Sequence, residues 1–114
     1  MKIELRVRGL EDPAVLRDQL ERRLQFALGR FGHEVAQVTV RLTDENGPRG
    51  GVDKRCHLTV RGPRLATVVI DERNSVAEAA LDLAAGRAGR AVARLLDRRL
   101  ARRLRMPIFR LAPG

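Results

Sequence analysis

Two strands and the turn between them can be read from residues 55–70, RCHLTVRGPRLATVVI. From Arg55 to Arg61, apolar and polar residues alternate, which is typical of a strand with one buried face. Gly62 and Pro63 predict a turn, and residues 65–70 predict a further strand because they are rich in β-branched side chains. The stretch therefore indicates two consecutive antiparallel strands.

The sequence before this stretch adds two strands and a helix. Strict alternation over residues 2–8 and again over residues 37–43 predicts one half-buried strand in each range. Between them, Asp12 and Pro13 are typical of a helix start, because the carboxylate can accept free N–H groups and proline suits the first helical position. Apolar residues at three- and four-residue steps over 16–31 predict the helix itself.

A second, longer helix is predicted after the strands. Ser75 and Glu78 have the spacing of a capping box, and the apolar positions after them continue at helical spacing as far as Leu104. Pro107 is expected to end this helix near Met106.

These elements give the order β-α-β-β-β-α. They predict an α+β fold, a four-stranded mixed sheet with two helices packed on one face, because each strand has one apolar face and each helix one apolar stripe. We expect one domain over residues 1–105, followed by a C-terminal tail over 106–114.

Charge is distributed unevenly along the chain. The 114 residues include 23 Lys and Arg against 14 Asp and Glu, for a formal charge of +9, and 21 of the cations are arginine. Residues 1–85 hold 14 basic and 13 acidic side chains, whereas residues 86–114 hold nine arginines and Asp97 as the one acid. This excess predicts a polyanionic partner.

Arginines in the second helix recur every three or four residues, so they share about a quarter of the helix circumference. They form a row roughly 27 Å long at about 1.5 Å per residue: Arg87, Arg90, Arg94, Arg98, Arg102 and Arg105. Like charges at this spacing repel, and phosphates relieve the repulsion. With three Phe and no Tyr or Trp, the chain has few rings for base stacking, which favours recognition of the backbone and shape of a structured nucleic acid, RNA or DNA.

Two glycines interrupt the same helix, at a cost of roughly 1 kcal/mol each relative to alanine. Gly86 and Gly89 indicate either the close approach of another backbone, from RNA or the neighbouring helix, or neutral exchange among small residues. The sequence leaves both interpretations open.

Other functional classes find little support. No nucleophile elbow, phosphate-gripping loop or dinucleotide motif is present, so we expect no enzymatic activity and no cofactor. Cys56 and His57 point to opposite faces of a strand and His33 is the other histidine, which leaves no zinc ligand set and no metal site.

No apolar run is long enough for a membrane span, no signal peptide is visible and the single cysteine suits a reducing compartment, so we expect a cytoplasmic protein.

Several segments resemble one known family. They are Ala27-Leu28-Gly29-Arg30-Phe31, Leu42-Thr43-Asp44-Glu45-Asn46-Gly47, Gly50-Gly51-Val52-Asp53-Lys54-Arg55-Cys56 and Ala80-Leu81-Asp82 leading into Arg87 and Arg90. Together with the β-α-β-β-β-α order, they resemble the bacterial ribosome hibernation-promoting factor and ribosome-associated translation inhibitor family, also called sigma-factor modulation proteins, in its short form.

The resemblance implies a stress-response factor that binds ribosomal RNA of the small ribosomal subunit and inhibits translation or promotes hibernation of idle ribosomes. It implies no membrane and no small-molecule substrate. By position, and with the helical row continued, the expected RNA-binding residues are Arg87, Arg90, Arg94, Arg98, Arg102, Arg23, Arg30, Lys54 and Arg55. The alternative is a protein-interaction module that uses the open sheet face or the C-terminal tail, with the basic helix serving solubility.

Overall fold

The computed structural model describes residues 1–45 and 53–111, with side chains as far as Leu104. The glycine-rich connection 46–52, the side chains of residues 105–111 and residues 112–114 lie outside the described part. The family-motif residues Asn46, Gly47, Gly50, Gly51 and Val52 and all side chains of the predicted tail 106–114 therefore lie outside it as well. The elements are β1 (Lys2–Arg8), α1 (Pro13–Leu28), a 3-10 segment (Gly29–Glu34), β2 (Gln37–Asp44), β3 (Lys54–Gly62), β4 (Leu65–Asn74) and α2 (Ala77–Leu111).

The four strands form one sheet in the order β1-β2-β3-β4. β1 pairs with β2 in parallel through the α1 crossover, and β2, β3 and β4 pair antiparallel. Both helices lie on one face, where the inward residues of the strands meet the apolar stripes of α1 and α2. This confirms the predicted fold class. The core lies between these layers and includes Leu20, Leu24, Val38, Val40, Leu58, Val60, Leu81, Ala84, Ala88 and Val92.

The two glycines of α2 have different surroundings. A Cβ on Gly89 would lie 2.9 Å from the Ala27 carbonyl oxygen, so α2 passes close to the backbone of α1 there. A Cβ on Gly86 would meet nothing closer than the Arg90 guanidinium, at 3.5 Å. The close approach of the neighbouring helix therefore accounts for Gly89 and not for Gly86.

The helix starts differ from the predictions in their hydrogen bonds. Asp12 precedes α1 as predicted, but its backbone is left-handed, with φ of 53°, and its side chain makes no capping hydrogen bond. At the start of α2, the Asn74 Oδ1 atom accepts the Val76 N–H at 3.0 Å. The predicted capping box of Ser75 and Glu78 is wrong, because the asparagine side chain already turns the chain into the helix.

The far end of α2 runs beyond the sheet. At about 1.5 Å per residue a 35-residue helix is roughly 52 Å long, whereas a ten-residue strand spans about 33 Å. Leu100 and Leu104 are therefore exposed instead of continuing the core. The helix also passes Pro107, so the predicted end at Met106 is wrong. A proline removes one backbone donor, which a helix can accommodate with a kink.

Within the described ranges, no helix is both long enough and apolar enough to cross a bilayer.

Candidate nucleic-acid interface

One side of α2 carries four exposed arginines at three- and four-residue steps, here called the arginine ridge: Arg90, Arg94, Arg98 and Arg102. Among the residues with described side chains, none provides a carboxylate partner to any of these guanidinium groups. Within the described part of the chain, no acceptor occupies the five donors of each guanidinium, which can therefore serve an external acceptor. Unpaired cations in a row repel one another, which makes the ridge a surface for a polyanion.

Arg87 belongs to the predicted row but has a different role. Its Nη1 atom lies 2.7 Å from the Glu72 Oε1 atom and donates to the Asp71 carbonyl oxygen at 3.1 Å. Both acceptors belong to β4, so Arg87 ties α2 to that edge strand. Because Arg87 and Arg90 are three residues apart on the helix, the ridge begins on the same side of α2 as this contact.

Arg99 fixes the helix where it leaves the sheet. Its Nη2 atom lies 2.8 Å from the Glu34 Oε1 atom, and its Nη1 atom donates to the Arg64 carbonyl oxygen at 3.0 Å. The hydrogen bond from Arg99 lowers the pKa of Glu34, against a smaller opposing effect of desolvation. These contacts hold α2 against the 3-10 segment and the β3–β4 turn, below the last two ridge arginines.

The two predicted residues of α1 and its C-terminal turn lie apart from the ridge. The Arg23 Nε atom lies 3.0 Å from the Asp82 Oδ1 atom, and so joins α1 to α2. Arg30 stacks over the Phe31 ring, with its guanidinium carbon 4.7 Å from the ring centroid. No carboxylate contacts Arg30 within the described side chains.

Lys54 and Arg55 are neighbours on β3, so they point to opposite faces of the sheet. Lys54 lies on the helix side, where its ammonium is 3.0 Å from Asp53 Oδ1 and 3.3 Å from Asp44 Oδ2. The hydrogen bond to Asp53 is the main cause of its raised pKa. Because Asp53 is buried, this ammonium supplies the charge that the carboxylate needs in the interior.

Arg55 lies on the open face, opposite the helices. Its Nε and Nη2 atoms donate to the two carboxylate oxygens of Asp71, at 2.9 and 2.6 Å. This fork holds the pKa of Asp71 below its usual value. Four of the nine predicted RNA-binding residues, Arg23, Lys54, Arg55 and Arg87, thus have intramolecular carboxylate partners. The structure brings together the four ridge residues and leaves the other five predicted residues at separate positions.

With this geometry established, the chain can be compared with known proteins. The profile of the Sigma 54 modulation protein / S30EA ribosomal protein family matches residues 3–100. The chain belongs to this family. No curated protein sequence matches this S30EA family member.

Solved structures resemble the S30EA fold seen here. A ribosomal subunit interface protein from Coxiella burnetii superposes with a TM-score of 0.67 at 18% identity, covering 82% of this chain and 96% of that one. The N-terminal domain of Protein Y from Thermus thermophilus gives a TM-score of 0.66 at 24% identity, covering 82% and 98%. Both similarities concern the fold.

The open sheet face of this S30EA family member carries arginines that the list of predicted RNA-binding residues omits. Arg6, Arg41 and His57 are direct neighbours on β1, β2 and β3. A charge count along the sequence does not reveal these residues, because the acids that balance them in sequence lie elsewhere in the fold. A separate charge count for the outward-facing residues of each strand would have found them. Elsewhere in the described structure, no cluster of three His, Cys, Asp or Glu side chains forms a potential metal site.

The buried Cys56 thiol gives a prediction for alkaline pH. Burial raises the pKa of Cys56 to about 12, and the Asp71 and Glu72 carboxylates add smaller effects in the same direction. The folded state therefore favours the protonated thiol, a contribution that is complete below the unfolded pKa near 9 and is lost as the pH rises toward 12. The raised pKa of Lys54 acts in the same sense.

We expect the free energy of unfolding, measured by urea titration, to decrease between about pH 9 and pH 11. Cys56→Ala should reduce that decrease, since its thiol no longer titrates, although the substitution lowers stability at every pH. An unchanged decrease in the variant would contradict the assignment to Cys56.

Native protein should also react with iodoacetamide far more slowly than urea-unfolded protein, because the thiolate is the nucleophile.

Proposed function

We propose that this protein binds the small ribosomal subunit through its arginine ridge and thereby inhibits translation or promotes the hibernation of idle ribosomes. The ridge guanidinium groups contact phosphates of ribosomal RNA. The observation that carries this proposal is the row of four exposed arginines with no carboxylate partner among the described side chains. Membership of a family named for ribosomal protein S30EA supports the ribosome as the partner, as does the fold shared with a ribosomal subunit interface protein.

Arginine suits this partner better than lysine would. A guanidinium offers donors in a planar fork that matches two phosphate oxygens, and it is always charged. The ridge has no aromatic neighbour on α2 among the described side chains, so it offers no platform on which bases could stack. Contacts of this kind recognise the backbone and shape of a structured RNA.

The remaining predicted residues take supporting roles in this proposal. Arg30 contributes a direct contact at the end of α1. Arg23, Arg55 and Arg87 keep donors beyond those that their carboxylates occupy, and so contribute weaker contacts. Lys54 stabilises Asp53 at the base of the β2–β3 connection. In this proposal the protein acts in the bacterial cytoplasm by binding alone. It needs no catalytic step, cofactor or small-molecule substrate.

Co-sedimentation of the purified protein with separated ribosomal subunits and 70S particles tests this function. We expect binding to the small subunit that weakens steeply with salt, because each neutralised phosphate releases counterion. For four phosphate contacts the affinity should fall roughly 100-fold between 50 and 200 mM salt. An excess of duplex RNA should compete poorly, and a cell-free translation reaction should slow at the protein concentration that saturates the subunit.

Two results would contradict the proposal. Absence of small-subunit binding at low salt would remove the ribosome as the partner. Binding that survives high salt would instead indicate an apolar protein contact, and the ridge would then serve solubility.

A further inference from the structure

We infer that the open face of the sheet is a second, separate binding surface for the phosphate groups of an RNA backbone. It shares the class of partner with the proposed function but uses other residues, on the side of the molecule opposite the helices. The two surfaces can therefore be tested independently.

The outward residues of the strands make this face strongly basic. It carries two acidic side chains, Glu4 and Asp71, in the described strands, and seven basic ones: Lys2, Arg6, Arg8, Arg41, Arg55, Arg61 and Arg73. Residues 1–85 are nearly neutral as a sequence, yet the fold sorts their charges by face. The sheet thus presents a second concentration of positive charge.

The acids near this face are already engaged. Asp71 accepts both donors of the Arg55 fork, and Glu45 pairs with Arg73 at 3.3 Å. Glu4 lies 3.9 Å from the Lys2 ammonium. Four guanidinium groups on this face have no carboxylate partner in the described structure: Arg6, Arg8, Arg41 and Arg61.

A cleft of about 370 Å³ lies where three of these cations, Arg6, Arg41 and Arg61, converge. Arg6, Arg41 and His57 line it side by side on three adjacent strands. Thr59 and Arg61 line it one and two same-face positions further along β3. Neighbouring strands are separated by about 4.8 Å, so these side chains can contact one extended anionic ligand at the same time.

The His57 Nδ1 atom gives an independent sign that the cleft receives a ligand. It is buried from solvent and has no hydrogen-bond partner among the residues that the structure describes. A buried polar atom without a partner is rare and costs about 1–3 kcal/mol, so such an atom at a binding surface indicates an absent partner. A phosphate oxygen can accept a hydrogen bond from Nδ1 in the tautomer that carries its hydrogen there.

The chemistry of the face favours a nucleic-acid backbone over a protein. Val69 is the one large apolar side chain exposed on it in the described strands. Stable protein interfaces need buried aromatic or aliphatic anchors, which this face lacks. The cleft is lined by arginine, threonine and histidine together with Glu4, whose carboxylate lies beside the Lys2 ammonium, unlike the mostly apolar pockets that bind small molecules. Without aromatic rings, the face contacts phosphates and does not stack bases.

A labelled RNA duplex of about 16 base pairs tests this inference without a ribosome. Its binding is measured by fluorescence anisotropy in a salt series. The starting protein has a neutralised ridge, with Arg90→Gln, Arg94→Gln, Arg98→Gln and Arg102→Gln. Adding Arg6→Thr and Arg41→Thr should weaken its binding about tenfold or more and reduce the salt slope by about 2. Threonine suits a strand, so the fold should persist, as backbone amide NMR spectra can verify.

The matched control is Arg17→Gln with Arg22→Gln in the same ridge-neutralised protein. It removes the same net charge from exposed positions of α1, so its effect should stay within about threefold. In the starting protein, RNA should shift the amide signals of Thr39 and Thr59. Equal losses from the sheet-face and control substitutions would overturn the inference. So would displacement of the duplex by polyglutamate at an equal concentration of charge, which would assign the face to an acidic protein.

Discussion

Arg90→Glu together with Arg94→Glu is expected to lower affinity for the small ribosomal subunit about 100-fold or more at low salt. Each substitution removes a charge-assisted hydrogen bond and places a carboxylate against phosphate. Neither side chain contacts another described residue by hydrogen bond or ion pair, so the fold should not change. Co-sedimentation gives the affinity, and circular dichroism gives the folded state and the melting temperature.

The control for this variant is Arg17→Glu with Arg22→Glu, which changes the net charge equally. These residues lie on α1, whereas the ridge lies on α2 and follows Arg87, which contacts β4. A loss confined to the ridge variant would show that position matters and not net charge alone. Wild-type co-sedimentation by the ridge variant would remove the ridge from the mechanism even if ribosome binding itself were real.

The ridge was predictable because a helix imposes its own geometry on the sequence. Arginines at three- and four-residue steps must share a side of the helix, whatever the rest of the fold does. The pairing of Arg87 with Glu72 was not predictable in the same way, since the two residues meet only when α2 packs beside β4. Sequence periodicity therefore finds the row, and tertiary structure decides which of its members remain free.

In the strands, too, periodicity predicts where a side chain points and tertiary structure decides its neighbours. Alternation places residues 2–8 in a strand with Arg6 pointing outward, and the observed β1 has these bounds. The neighbour of Arg6 depends on register, which the pattern of one strand does not contain. Parallel pairing of β1 with β2 puts Arg6 beside Arg41 and builds the basic open face. A charge count by chain segment misses this surface because it ignores the two faces of a sheet.

Helix ends were the least predictable features because several local signals compete there. Ser75 and Glu78 have the capping-box spacing, but Asn74 supplies the observed hydrogen bond to Val76. Leu100 continues the apolar stripe in sequence, yet the sheet ends before it and leaves the side chain exposed. A stripe indicates which side of a helix is apolar and does not indicate how far the partner surface extends.

Gly62→Ala is expected to destabilise the protein by about 3 kcal/mol, the upper range for overpacking. A Cβ at Gly62 would lie 1.9 Å from the carbonyl oxygen of Glu34 and 3.0 Å from its carbonyl carbon. Both are backbone atoms, so no side-chain rotation can relieve the overlap. The sequence predicts only a turn here, and the crossing of the 3-10 segment over the end of β3 makes glycine necessary.

Thermal unfolding measures this effect, and we expect the melting temperature to fall by more than about 10 °C. Gly86→Ala is the matched control, because its Cβ would lie in ordinary contact with a flexible arginine and alanine favours a helix by roughly 1 kcal/mol. It should raise the melting temperature slightly.

Displacing Glu34 would also weaken its bond to Arg99, so Gly62→Ala should reduce the pH dependence of stability that the lowered pKa of Glu34 produces. That stabilisation is present above the unfolded pKa near 4.5 and is lost as the pH falls. A Gly62→Ala protein as stable as wild type would contradict the observed crossing of these two segments.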